Sequence, residues 1–326
     1  MLTQKLYNNT SVVRSLLRLS LPWHRPGFLL VTYHRVLERP DPYYPDAVRL
    51  STVEAQLRLF KRFCAVLPLE EIITRMEQGQ PLPRRCVALT FDDGYRDVYT
   101  HAWPLLKRYQ LPATLFVAVE AIERGFLWPD LLRHAIRQTP ATRVALDSLT
   151  DYGPYTVELR NEADRLQAVR HLGSRLKQLP HSQKESVLRE LVVKLLQVTP
   201  EALKIQDLML SWEDLTALSS DGIDVGAHTV THPVLAKLSE HDAEEEIHQS
   251  RQVLEQRLGK PVTHFCYPYG KASDFSPRIK QLVAAAGFRS ACTTLPGLNR
   301  PSDNRFSLRR INAGLRVWKV LIKALG

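Results

Sequence analysis

The strongest constraint this chain places on its own fold is a rhythm: short apolar, β-branched runs recur, and each is followed by an amphipathic helical pattern. Residues 28–33, 87–91 and 113–117 read as buried strands, as do 224–227 and 263–267, with a weaker candidate at 289–293. Between them Val53, Leu57, Phe60 and Cys64 keep a helical spacing, as do Ile247, Leu254 and Leu258 in an acidic-then-basic stretch that starts near Asp242. Alternation of this kind argues for a parallel α/β sheet or barrel. In such folds chemistry gathers at the carboxyl ends of the strands.

One region breaks the rhythm. Residues 126–210 are rich in Leu, Arg, Lys, Gln and Glu at helical spacing, and strand signals nearly vanish there. They read as a helical insertion between two core strands, in place to act as a lid. With 326 residues the chain has the length of about two average domains, yet an α/β barrel of about 250 residues is a single one. The expectation is one barrel domain over 1–326 with 126–210 inserted in it.

Composition removes several alternatives. An apolar fraction of 44% excludes a disordered or fibrous chain, and no run approaches the roughly 20 apolar residues that cross a bilayer. Arg14 and Arg18 interrupt the N-terminal apolar stretch and no small-residue cleavage site follows, so a secretory signal is not expected. Cys64, Cys86, Cys266 and Cys292 are too far apart for a zinc pair or a disulfide framework, which predicts reduced thiols and a cytoplasmic location. The net charge of +10 favours anionic surroundings, but no nucleic-acid-binding signature accompanies it, so no nucleic acid partner is expected. Basic apolar segments at both ends (Leu16, Leu17, Leu19 and Leu21 with Arg14 and Arg18; Val317 to Leu325 with Lys319 and Lys323) suit peripheral contact with the inner membrane surface, or equally helix packing. The sequence does not decide the oligomeric state.

Three strings carry the chemistry. TFDDG at 90–94 runs a strand into adjacent carboxylates and a glycine. Neighbouring strand residues face opposite ways, so Asp92 and Asp93 share a site only where the backbone turns, and Gly94 permits that turn. Two carboxylates held together need a cation or a proton between them. HTVTH at 228–232 spaces His228 and His232 so that, on one helical turn, both imidazoles face a common ion. Together with an aspartate they make three ligands with a position left for water, the hydrolytic metal pattern. HFCYPYGK at 264–271 ends a further strand in a loop whose Pro268 and Gly270 aim an amide N–H at a developing oxyanion, with Tyr267 and Tyr269 in reach of a sugar ring.

In that order, TFDDG, HTVTH and YPYG resemble the polysaccharide deacetylase family (carbohydrate esterase family four, which includes the chitooligosaccharide deacetylases). The resemblance implies a distorted (β/α) barrel and a divalent metal, usually zinc. It makes Asp93, His228 and His232 the metal ligands, Asp92 the general base, and Tyr269 the residue whose N–H holds the oxyanion. A cation on Asp93 leaves Asp92 free to accept a proton.

The sequence departs from the family pattern twice. The arginine that orients the base falls at Cys266, and Arg309 or Arg310 in FSLRRIN (306–312) is expected to restore its charge; Arg310, on the face shared with Leu308, is our choice. The late Leu-x-His motif of the general acid is absent. VTYHRV at 31–36 resembles instead the early Tyr-His motif of bacterial exopolysaccharide deacetylases, which makes His34 the acid if the first and last strands are neighbours. Trp128 in FLWPD is a candidate for the sugar face and equally for a core anchor, Asp130 is a candidate for the sugar hydroxyls or an amine, and the remaining histidines, His264 among them, read as structural. The expected substrate is an N-acetylated glycan or glycolipid. An O-acetyl esterase and a non-catalytic carbohydrate-binding scaffold are the alternatives.

Overall fold

A computed structural model describes residues 27–147, 155–203, 205 and 207–314. Both basic end segments lie outside the described residues. In chain order the first half contains β1 (Phe28–Tyr33), β2 (Val36–Leu37), β3 (Val48–Arg49), α1 (Leu50–Phe63), β4 (Ala65–Val66), α2 (Leu69–Glu77), β5 (Cys86–Phe91), α3 (Trp103–Tyr109), β6 (Thr114–Val117) and α4 (Val119–Arg124). Then come α5 (Trp128–Gln138), β7 (Arg143–Leu146), β8 (Tyr155–Glu158), α6 (Glu162–Gln178) and α7 (His181–Leu196). The chain returns through α8 (Trp212–Ser220), β9 (Asp224–Ala227), α9 (Glu240–Leu258), β10 (His264–Cys266), α10 (Pro277–Ala285), β11 (Ser290–Cys292) and β12 (Arg310–Asn312).

The main sheet is parallel, in the order β11-β10-β9-β6-β5-β1-β12, with β4 against β5. Its two edges meet. Leu308, just before β12, bridges Cys292 of β11; its N–H donates to Ala291 at 2.9 Å and its carbonyl accepts from Thr293 at 2.8 Å. The result is a nearly closed (β/α) barrel, one of the two architectures the strand–helix rhythm allowed and the one the family resemblance implied.

The twofold alternation of strand side chains explains how the barrel is filled. Leu29, Val31 and Tyr33 of β1 and Val87, Leu89 and Phe91 of β5 pack outward with Val53, Leu57 and Phe60 of α1. Phe28, Leu30, Cys86 and Ala88 face the other way and meet Phe116, Cys266, Cys292 and Leu308, with Leu69, Ile72 and Ile73 of α2 in the same cluster. Gly226 makes room there, since a Cβ on it would sit 2.5 Å from the Phe116 ring. Continued upward, the inner face turns polar: Thr32 then His34 after β1, Thr90 then Asp92 after β5. An apolar floor thus carries a polar rim at the carboxyl ends.

The insertion has its own core, in which Leu131, Leu132 and Ile136 of α5 pack with Leu172 of α6 and Leu188, Leu191 and Val192 of α7. It is not wholly helical, which corrects the sequence expectation. β7 and β8 form an antiparallel hairpin, and β7 alternates exposed Arg143 and Ala145 with buried Val144 and Leu146. Four residues of alternation are too few to stand out from a helical background.

Candidate metal and catalytic centre

Asp92 continues the β5 ladder, its N–H donating to the Tyr33 carbonyl at 2.9 Å, and its side chain is buried. Arg310 of β12 reaches it in a two-pronged pair, Nη1 to Oδ1 at 2.7 Å and Nη2 to Oδ2 at 2.6 Å. The guanidinium is fully satisfied: Nε donates to the Thr293 carbonyl at 2.8 Å, Nη1 also to Thr90 Oγ1 at 3.2 Å, and Nη2 meets Cys266 Sγ at 3.0 Å. Burial works against the Asp92 charge, but the charge and hydrogen bonds of Arg310, helped by His34 and His228, hold its carboxyl below the usual carboxylate range. Of the two candidate arginines, the one on the Leu308 face lies inside the barrel; parity separated the two faces, and the fold decided which of them lines the site.

His34 stands at the end of β1, with Nε2 3.7 Å from Asp92 Oδ2 and its side chain 29% exposed. The parallel β1–β12 and β1–β5 pairings bring His34, Arg310 and Asp92 to one place on the rim. Asp97 fixes the loop that follows His34, accepting from the Val36 N–H at 2.9 Å and Arg35 Nε at 2.8 Å.

Asp93 turns into the left-handed region at φ 77°, as Gly94 does at φ 90°, and this reverses the strand parity so that both carboxylates face the cleft. Its Oδ1 lies 3.4 Å from Nε2 of His228 and 3.4 Å from Nε2 of His232. The two histidines do not sit on a helical turn, which corrects the sequence reading. They flank a loop after β9 in which Thr229 (φ 67°) and His232 (φ 58°) are left-handed. Glu246 of α9 holds that loop, accepting from the N–H groups of Val230 and Thr231 at 2.8 and 3.0 Å and from the Thr231 hydroxyl at 2.6 Å.

The donor set fits a divalent ion. His228 Nδ1 donates to the Cys266 carbonyl at 2.7 Å, which orients the ring and leaves Nε2 to bind. One carboxylate oxygen and two imidazole nitrogens then converge in a buried site. Burial opposes charge on all three, yet hydrogen bonds from both histidines pull the Asp93 carboxyl well below its ordinary value. A second trio of Asp92, His228 and Cys266 also lies close together. It suits a cation less well, because Arg310 already occupies Asp92 and Cys266, and burial pushes the Cys266 thiol up to about 11.

Tyr269 is left-handed at φ 62°, and its ring packs edge-on to His232 with centroids 4.9 Å apart. Among the described residues its N–H makes no hydrogen bond. Two proposed sugar contacts, Tyr267 and Asp130, are corrected, and Trp128 is the core anchor that the sequence equally allowed. Tyr267 is fully buried, stacks on Phe275 at 4.4 Å and donates its hydroxyl to the Phe306 carbonyl at 3.0 Å. Trp128 is buried and donates Nε1 to the Tyr269 hydroxyl at 2.7 Å. Asp130 is buried too, accepting from the Tyr95 hydroxyl, the Leu127 N–H and Arg133 at 3.0–3.1 Å. All three face protein: Tyr267 in the core of the barrel, Trp128 and Asp130 on the helix that joins the insertion to it. His264, read as structural, is buried at the start of β10 with Nδ1 2.9 Å from Ser290 Oγ. Glu246, Thr32, Thr90 and Asp97 went unread; strand parity would have found the threonines, but no local signal marks the two acids.

A sequence model of the family described as polysaccharide deacetylase matches residues 79–169 and 177–291, together more than half of the chain. The poly-beta-1,6-N-acetyl-D-glucosamine N-deacetylase of Escherichia coli (strain K12) is 33% identical over 93 residues, which cover 28% of this chain and 14% of that protein. The enzyme of the same name from Staphylococcus epidermidis is 31% identical over 116 residues, covering 31% of this chain and 39% of the relative. Each match thus spans well under two thirds of the relative's length. Two solved structures share the fold at a TM-score of 0.59: IcaB from Ammonifex degensii (20% identity, 92% of this chain and 98% of that one) and the Streptococcus pyogenes deacetylase PplD in complex with acetate (18% identity, 88% and 92%).

Proposed function

The chain belongs to the polysaccharide deacetylase family, and from that premise we propose that it is a metal-dependent hydrolase removing N-acetyl groups from amino sugars of a glycan. The observation that carries this reading is the convergence of Asp93, His228 and His232 beside an ionised Asp92. The names of the curated relatives make a β-1,6-linked N-acetylglucosamine polymer the first substrate to try.

Asp93, His228 and His232 would hold the ion, zinc for preference, which supplies Lewis-acid polarisation of the acyl carbonyl and a lowered water pKa. Asp92, kept ionised by Arg310, takes the proton of the attacking water. The free Tyr269 N–H donates to the carbonyl oxygen as negative charge develops on it. His34, partly exposed at the cleft, gives a proton to the leaving nitrogen. The C–N bond breaks, the new C–O bond forms acetate, and the sugar leaves as the free amine. Arg310 beside Cys266 supports an intact orienting charge, which favours an enzyme over a scaffold.

The test is acetate release from N-acetylglucosamine oligomers, with metal content measured alongside. Asp92→Asn should retain the metal and lose turnover; a fully active variant overturns the assignment. His228→Ala should lose both, and retained stoichiometric metal contradicts its ligand role.

A further inference from the structure

Where the insertion meets the barrel, beside the His232 loop, lies a small space that the proposed reaction does not use. Lys177, Lys184 and Lys237 line it, with Tyr269, Val234 and Leu238. Two of the lysines are engaged. Lys177 Nζ is 3.2 Å from Asp274 Oδ2 and stands 4.0 Å from the Tyr269 ring centroid. Lys237 Nζ caps the end of α6, donating to the Gln178 carbonyl at 2.9 Å and its side-chain oxygen at 2.6 Å.

Lys184 is different. It is 5% exposed, and among the described residues its ammonium makes no hydrogen bond or ion pair, only a contact with the Trp128 ring at 5.4 Å. The carboxylates nearest to it in charge are committed elsewhere: Glu246 holds the His232 loop, and Glu185 and Glu120 each face Arg124 at 3.4 Å. Among the described residues Asp274 pairs with Lys177 alone, and the carboxylates that act on Lys184 do so through space without touching its ammonium. A buried ammonium with no counter-ion in contact is costly; burial lowers the Lys184 pKa, with Glu185, Glu246 and Glu120 opposing that and Arg124 adding to it. The start of α7 carries no side-chain cap, so its positive dipole end adds to the same field.

We infer that this seam is a second site, built around Lys184, for a small carboxylate, and that its occupant is acetate. Water-sized room of about 20 Å³ suits one or two waters or a small planar anion. A carboxylate answers the ammonium while a methyl group meets Val234 and Leu238. Pro233, which directly follows the ligand His232, also lines the space, so the site adjoins the place where acetate forms. Naming acetate rests on the deacetylase reading; the anion site itself does not.

The experiment titrates the full-length protein with sodium acetate, sodium chloride and sodium phosphate at matched ionic strength, with zinc and with excess chelator. It reads the unfolding temperature and the line width of labelled acetate. Acetate should stabilise the protein in both metal states where chloride and phosphate do not. Lys184→Gln should weaken acetate binding by about tenfold or more, the worth of a hydrogen bond to a charge, and Lys184→Arg should keep it. Acetate acting no better than chloride, phosphate matching acetate, or Lys184→Gln binding as wild type does would each overturn the site. The wild-type arms decide even if a variant fails to fold. Acetate binding without any deacetylation of glycans would sink the activity and leave the site standing; the reverse result would do the opposite.

Discussion

The rim of the barrel and the insertion use buried polar groups in opposite ways. At the rim, Asp92 with Arg310 and Asp93 with two histidines are packed against one another, the two aspartates following β5, the two histidines following β9 and Arg310 opening β12. In the insertion, Trp128 and Asp130 are buried as single braces that tie α5 to Tyr269 and Tyr95. Both regions hold residue types that suit sugar chemistry, and only one faces the cleft. Position at the cleft, and not pairing as such, separates the two regions: Asp130 with Arg133 and Asp97 with Arg35 are largely buried ion pairs as well, and they brace.

Substitutions can break this contrast. The largest effect should come from the rim: Asp92→Asn should cut acetate release by about 10²–10⁴-fold, the usual worth of a general base, with unfolding temperature and metal content checked in the same sample. Next is Arg310→Met, which strands a buried carboxylate and should cost about 3–5 kcal/mol of stability in urea unfolding. Adding Asp92→Asn should recover much of that loss.

The pH dependence of this pair has a definite sign. In the wild type the folded Asp92 pKa lies below its unfolded value. Its contribution is therefore present above the ordinary carboxylate value, about 3.9, and drains away as pH falls through the lowered one. Without Arg310 the buried carboxyl prefers its proton, so the stability gap between Arg310→Met and wild type should narrow on acidification. A constant gap from pH 7 to 4 would contradict the pairing.

The braces should show less. Trp128→Phe removes the donor to the Tyr269 hydroxyl and should cost about 1 kcal/mol, with kcat lowered through the Tyr269 loop and KM unmoved. Tyr267→Phe should be smallest: about 1 kcal/mol for the lost bond to Phe306 and no change in acetate release. A marked rise in KM in either variant would return that residue to the sugar site.

The strands, their order of appearance and the three rim motifs were legible because each is a local signal. An apolar run, a doubled carboxylate before glycine and a pair of histidines need only a few neighbouring residues to be read. The hairpin within the insertion was too short to announce itself. The His232 loop misled because the same four-residue spacing serves a helix and a loop with two left-handed residues. Tyr267, Trp128 and Asp130 were placed by residue type, and type does not report which side of the rim a side chain lies on.

By itself the sequence determined an alternation of strands and helices whose strand ends carry Asp92, Asp93, His228 and His232, since periodicity and turn chemistry act over short stretches of chain. Only the tertiary structure decided that Arg310 meets Asp92 from 218 residues away, that His34 stands beside them, and that Trp128 is a brace. Those facts depend on β1 lying between β5 and β12 and on the two sheet edges meeting at Leu308. Closure of that kind is a property of the whole barrel, and no window of neighbouring residues contains it.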